Sequence, residues 1–260
     1  MTPGRDSVAN TVKVSLAVCL VCALVVATAA VMLAPRQAEN REQFRQFNIV
    51  RVAGLDAPGR DLTAAFARVE ERHVDLASGA YVERTEGYDP LAAARDPAQG
   101  RRLTDDPAGI RQMPRVGVVY LIRDEAGRLE RVVLPVHGYG LWSTMHGFLA
   151  LERDLDTVAG INFHEHAETP GLGGEIDNPR WQGGWVGKRL FDDDGAPVLQ
   201  VMKGRVPEGL ADAEHRVDGI SGATLTTRGV QNLVRFWVGE QAYGPYLARL
   251  RERLAAGEDA

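Results

Sequence analysis

Hydrophobic positions along this chain fall into three regimes. The first is an unbroken, uncharged apolar run, VSLAVCLVCALVVATAAVMLA, at residues 14–34. As a helix it rises roughly 30 Å, the thickness of a bilayer's hydrocarbon core. A cleavable signal peptide is the rival reading, with Lys13 as its charged flank and Ala27-Thr28-Ala29 as its cleavage site. The run continues past Ala29 to Leu33, so an uncleaved anchor is expected. A lipid-attachment reading of LAVC, ending at Cys19, puts Val18 where a small residue is wanted and sits mid-run. Arg5 and Lys13 precede the run, and Arg36, Arg41 and Arg45 follow it. That count does not place the N-terminus inside the cell, and the charges leave the orientation open.

The second regime is short and mixed. Polar residues with scattered hydrophobes from 39 to about 58 suit a short helix, and Leu62, Phe66 and Val69 recur at helical spacing. Residues 81–114 are rich in Asp, Arg, Pro and Gly without periodicity, and read as a long loop. The third regime is strand-like. VGVVYLI (116–122) and LERVVLPV (129–136) flank the turn residues DEAG and predict a hairpin. Further strands are expected near 148–151, 158–163, 185–191 and 198–203. After Thr227 the period changes. Val230, Leu233, Val234, Trp237 and Val238 line one helical face, and Tyr246, Leu247 and Leu250 mark a last helix. The pattern predicts an α+β domain, an antiparallel sheet with helices packed on it.

Composition narrows the function classes. Against 35 Asp+Glu the chain has 30 Lys+Arg, a formal net charge of -5, which gives no reason to expect a nucleic-acid binder. Both cysteines, Cys19 and Cys22, lie inside the apolar run and read as small hydrophobes rather than a redox pair. Beyond the run no cysteine is present, which excludes disulfides and cysteine-held iron–sulfur clusters there.

Three glycine-rich stretches carry the candidate chemistry. GYGLWSTMHG (138–147) offers Trp142 for stacking on an aromatic ligand, or for a core position beside a turn. HEHAETPGLGG (164–174) is not a zincin motif. In a strand, His164 and His166 would share a face and permit a metal, whereas TPGLGG suits a backbone nest or a tight surface loop. Trp181 and Trp185 in PRWQGGW read as packing residues. DGISGATLTT (218–227) sets Thr224, Thr226 and Thr227 at the start of the apolar-periodic helix. One of them is expected as its N-cap, and the free N–H groups there would also favour a phosphate. Local physics does not choose among the three. No complete dinucleotide fingerprint or P-loop is present.

DGISGAT (218–224), with GYGLWSTMHGFLALERD, ETPGLGG and DNPRWQGGWVGK in order, resembles a family of FMN-binding domains. These are found in the C subunit of the Na+-translocating NADH:quinone reductase and in the G subunit of the Rnf complex. The likeness to the reductase version is the stronger, and it covers most of the chain. The resemblance implies a single N-terminal membrane helix, a periplasmic soluble domain at the bacterial inner membrane, and FMN joined through its phosphate to the Thr224 hydroxyl. A flavin transferase would make that bond from FAD with magnesium. Asp218 maps to the motif aspartate, Ser221, Gly222 and Ala223 to the attachment turn, and Glu168, Thr169, Gly171 and Leu172 to a loop near the flavin ring. Trp142 lies in the other segment beside the ring. The implied role is an electron carrier from an iron–sulfur centre to the flavin of the reductase's B subunit, among partners that also include its D and E subunits. Rnf-type transport and a flavin-free, membrane-anchored scaffold are the alternatives. The expected organisation is a tail (1–13), a transmembrane helix (14–34), a membrane-proximal helical and loop region (35–115) and an FMN-binding core (116–260).

Overall fold

The computed structural model describes residues 7–56 and 61–258. Arg5 and the Pro58 end of the polar stretch lie outside the described residues. The chain divides into two compact units, Met1–Phe47 and Asn48–Ala260. In the first, α1 (Val8–Val52) continues through Pro35 rather than stopping with the apolar run. It is long and apolar enough to cross a membrane. The polar stretch expected to hold a separate short helix is therefore its continuation. The last residues of α1 belong to the second unit, where Ile49, Val50 and Val52 are buried.

In the second unit α2 (Leu62–Phe66) is capped by Asp61, whose carboxylate accepts from the Thr63 N–H at 3.1 Å. It ends before Val69. The helical spacing from Leu62 to Val69 is broken because β1 (Val69–Asp75) pairs along its whole length with β5 (Val116–Arg123). The stretch read as a long loop contains β2 (Tyr81–Val82), α3 (Pro90–Arg95), β3 (Gly100–Arg102) and β4 (Gln112–Pro114). Its ordering is local: Asp89 caps α3 by accepting from Leu91 N–H and Ala92 N–H, and Pro90 presets the first turn.

The central sheet runs β2-β1-β5-β6-β7-β8, antiparallel throughout, with β5 (Val116–Arg123), β6 (Leu129–Tyr139), β7 (Thr144–Glu152) and β8 (Val158–Glu165). The expected hairpin is β5–β6. Successive residues of β5 serve opposite cores: Val119 and Leu121 join the larger cluster, while Val118, Tyr120 and Ile122 pack with Ile49, Val50 and Leu55. A sheet covered on both faces explains why this strand reads as a continuous apolar run instead of an alternation.

After β8 come a 3₁₀ turn (Gly173–Asp177), α4 (Pro179–Gly183), and the two-residue strands β9 (Gln200–Val201) and β10 (Arg216–Val217), which pair in parallel. The strands expected at 185–191 and 198–203 are largely not strands. Asp156 takes over the first segment, accepting from Leu190 N–H, Phe191 N–H and Arg189 Nε, so a carboxylate replaces a ladder neighbour. In the second, Arg235 donates to the carbonyls of Val198 and Leu199, and Gln231 accepts from Val201 N–H. Both of those side chains come from α5 (Thr224–Val238), which packs its Val230, Leu233, Val234 and Trp237 face on the sheet. The chain's last helix, α6 (Gly244–Ala255), buries Tyr246, Leu247 and Leu250 as the spacing predicts.

Candidate functional site

The β6–β7 hairpin closes through Gly140–Ser143, with Gly140 N–H donating to the Ser143 carbonyl at 2.8 Å. The GYGLWS stretch is therefore a hairpin tip, and it holds Trp142 64% exposed, away from any core. α5 lies close over the end of this hairpin. The Trp237 indole donates to the His137 carbonyl at 2.6 Å, and a Cβ on Gly229 would come 2.6 Å from the Tyr139 carbonyl. The first turn of α5 is thereby held beside the tip.

The loop after β8 reaches the same place. Ala167 N–H donates to Ser143 Oγ at 2.7 Å, and Glu168 is buried, with one carboxylate oxygen accepting from Leu141 N–H at 3.0 Å and Trp142 N–H at 2.9 Å. Its other oxygen accepts from Thr226 Oγ1 at 2.6 Å. Burial alone would raise this carboxyl's pKa, but the Thr226 hydroxyl and the N–H groups of Trp142, Leu141 and Ser143 outweigh it and hold the value below that of an ordinary glutamate. Glu168 is therefore an ionised group turned into the protein.

The three threonines now separate. Thr226 and Thr227 are buried, and Thr227 Oγ1 donates to the carbonyls of Ala223 at 3.1 Å and Thr224 at 3.2 Å. Thr224 is exposed. None of the three is the N-cap, contrary to the capping expectation. The N-cap is Ala223, which makes no side-chain cap bond, because the two buried hydroxyls are drawn to Glu168 and to helix carbonyls. The first turn of α5 thus keeps its donors uncapped by any side chain, the local condition for binding an anion.

Ser221 and Gly222 are exposed just before that turn. Gly222 has φ +75°, and a Cβ there would lie 2.9 Å from Leu172 Cδ2. Both the backbone conformation and the contact call for glycine. Leu172 is 44% exposed, with Thr169 and Gly171 also at the surface of the loop. Asp218 sits further back. Its carboxylate accepts from Val206 N–H at 2.7 Å and its carbonyl from the Trp181 indole at 2.8 Å. Asp218, Ser221 and Gly171 line an open cleft of about 490 Å³ with Trp181, Arg180 and Arg205. Trp185 is fully buried and meets Trp181 edge-on, so this pair does pack.

Two further side chains belong here that sequence reasoning passed over. Leu141, 38% exposed, stands beside Trp142 at the tip, and Leu225, 55% exposed, lies in the first turn of α5. The available signal was that Leu225 falls off the apolar stripe of its own helix. Exposed apolar side chains at the tip, loop and helix start, next to an exposed hydroxyl and uncapped helix donors, fit a ligand with a flat apolar ring and a phosphate. Flavin mononucleotide is such a ligand.

The histidines take other roles. His166 lies just beyond β8, its Nε2 2.8 Å from Asp177 Oδ2 and its Nδ1 accepting from Glu168 N–H. His164 stacks on Phe148. Among the described residues no group of three or more His, Cys, Asp or Glu could hold a metal ion.

Comparison with known proteins agrees with this geometry. Residues 140–239 match the FMN-binding domain family, which places the chain in the class of proteins that join such a domain to a helix of membrane-spanning length. It is 48% identical to the C subunit of the Na(+)-translocating NADH-quinone reductase of Pseudomonas aeruginosa, over 96% of this chain and 98% of that one. To its Yersinia pestis counterpart it is 47% identical, over 96% and 95%. The crystal structure of Shewanella oneidensis NqrC superposes with a TM-score of 0.77 at 34% identity, covering 83% of this chain and 99% of that one. The chain belongs to the NqrC family, the C subunits of Na(+)-translocating NADH-quinone reductases.

Proposed function

We propose that this chain carries FMN as a phosphoester on Thr224 and serves as an electron-carrying subunit of a Na+-translocating NADH:quinone reductase. The observation that carries the attachment site is the separation of the three threonines: Thr224 is exposed at the uncapped start of α5, whereas Thr226 and Thr227 are buried with their hydroxyls engaged. An acceptor hydroxyl must reach a transferase and its nucleotide, and only the first of the three meets that condition.

The protein's part is binding and placement. The N–H groups of the first turn would hold the phosphoryl group, with Ser221, Gly222 and Ala223 forming the turn that leads into it. Trp142, Leu141, Leu172 and Leu225 would offer apolar surface to the ring, together with the loop of Thr169 and Gly171. Asp218 holds the approach to the turn through Val206 and Trp181. When bound, FMN supplies reversible uptake and release of electrons. In this reading α1 anchors the chain in the bacterial inner membrane with the soluble unit in the periplasm. Electrons come from an iron–sulfur centre of neighbouring proteins of the complex, its D and E subunits among the partners, and pass to the flavin of the B subunit. A flavin transferase installs the cofactor.

The test is intact-mass and fragment analysis of the native protein, co-produced with the flavin transferase. The mass should exceed that of the bare chain by FMN less one water, on the fragment containing Thr224. Thr224→Ala removes the adduct, and Thr227→Ala leaves it in place. A bare mass for the wild-type chain would overturn this reading in favour of a flavin-free scaffold.

A further inference from the structure

Glu168 is a buried carboxylate whose oxygens are taken up by the protein itself. Its partners come from two segments far apart in sequence. Leu141 N–H and Trp142 N–H belong to the hairpin tip, and Thr226 Oγ1 belongs to α5. The surroundings are shaped to admit it. A Cβ on Gly140 would come 2.5 Å from Glu168 Oε1, and one on Gly173 would come 2.6 Å from Thr226 Oγ1 and 2.8 Å from Glu168 Oε2. Two glycines are therefore needed for the carboxylate to reach both sides. The loop holding Glu168 is itself tied down by Ser143 Oγ on Ala167 N–H and by His166 Nδ1 on its own N–H.

We infer that Glu168 and Thr226 form a clasp that positions the Trp142 hairpin tip against the first turn of α5, and that the charge of Glu168 is a fixed negative charge in the wall of the flavin site. The inference deepens the flavin-carrier reading and rests on it for its redox half. Hydrogen bonds to an ionised acceptor are stronger than those between neutral groups, and a buried charge with no countercharge acts through a low-dielectric wall. Adding electrons to the cofactor is harder beside such a charge. Glu168 is a positioning residue in this scheme, with its carboxylate occupied by protein donors.

Three variants of the full chain separate the parts. Glu168→Gln keeps the shape, since its carbonyl can accept from the tip and its amide can donate to Thr226 Oγ1, but it loses the charge. Glu168→Ala removes the clasp. Thr226→Val removes the helix side alone and serves if the alanine variant does not fold. Amide hydrogen exchange on the flavin-free chain reads the clasp. Exchange at Leu141 and Trp142 should speed up at least about tenfold in Glu168→Ala, less in Thr226→Val, and little in Glu168→Gln. Redox titration of the flavin-loaded chain reads the charge, and the midpoint potential of the flavin that Glu168→Gln carries should move to more positive values. Unaltered exchange at Leu141 and Trp142 in the alanine and valine variants overturns the clasp, and an unmoved potential in Glu168→Gln overturns the electrostatic role. A wild-type chain of bare mass refutes the flavin reading instead, and the exchange measurement still decides the clasp.

Discussion

At the scale of single residues, the functional segment is governed by which hydroxyls are already engaged. SGATLTT presents threonines of identical chemistry, and burial with a defined acceptor takes two of them out of reach. The same logic sorts the leucines near the site. Leu225 is exposed and contributes nothing to either core cluster. Leu225→Ala should change stability by no more than about 0.5 kcal/mol, a typical value for surface positions, while altering the accessibility of bound flavin to a soluble quencher. A denaturant melt beside a fluorescence-quenching titration checks both parts. Gly222→Ala should behave differently. Its φ of +75° and the nearby Leu172 penalise any Cβ, so a loss of about 1 kcal/mol is expected with reduced flavin loading, read by thermal melting and intact mass.

At the scale of elements, the second unit depends on segments that borrow partners. β5 is buried on both faces, and its apolar run was legible because both sides need hydrophobes. The 185–191 segment reads as a strand in sequence but is not one, and its Leu190 and Phe191 N–H groups go to the Asp156 carboxylate, a contact across more than thirty residues that periodicity cannot show. Asp156→Ala leaves two backbone donors and a guanidinium without that acceptor. A loss of about 2–4 kcal/mol in equilibrium unfolding is expected, against near-neutral effects at exposed Asp193 or Asp194. The end of α2 was lost for a similar reason, since strand pairing with β5 overrides a short helical spacing.

For the molecule as a whole, acid should matter more than its modest net charge suggests. Burial, with the neighbouring His146 charge adding to it, lowers both His137 and His164 from 6.5 to about 4. Both imidazoles are neutral in the fold at pH 7, and the unfolded chain takes up protons first as the pH falls. Stability is thus complete above about pH 6.5 and is lost between there and about pH 4, by up to about 1.4 kcal/mol per pH unit for each histidine. Unfolding curves across that range check the slope, and His137→Gln should flatten it. In the other unit, removing residues 8–33 should shift the chain from the membrane fraction to the soluble fraction, since that deletion takes out nearly all of the apolar run.

The amino-acid sequence by itself determined the membrane-length helix, the β5–β6 hairpin and the apolar faces of α5 and α6, because each is a local periodicity matched to one geometry. Its motifs also carry the flavin-family resemblance, which points to Thr224. Only the tertiary structure decided that Trp142 stands at an exposed tip. It also showed that Glu168 joins the tip to the helix through Thr226. That join rests on contacts between positions 26 to 58 residues apart, which no local pattern encodes.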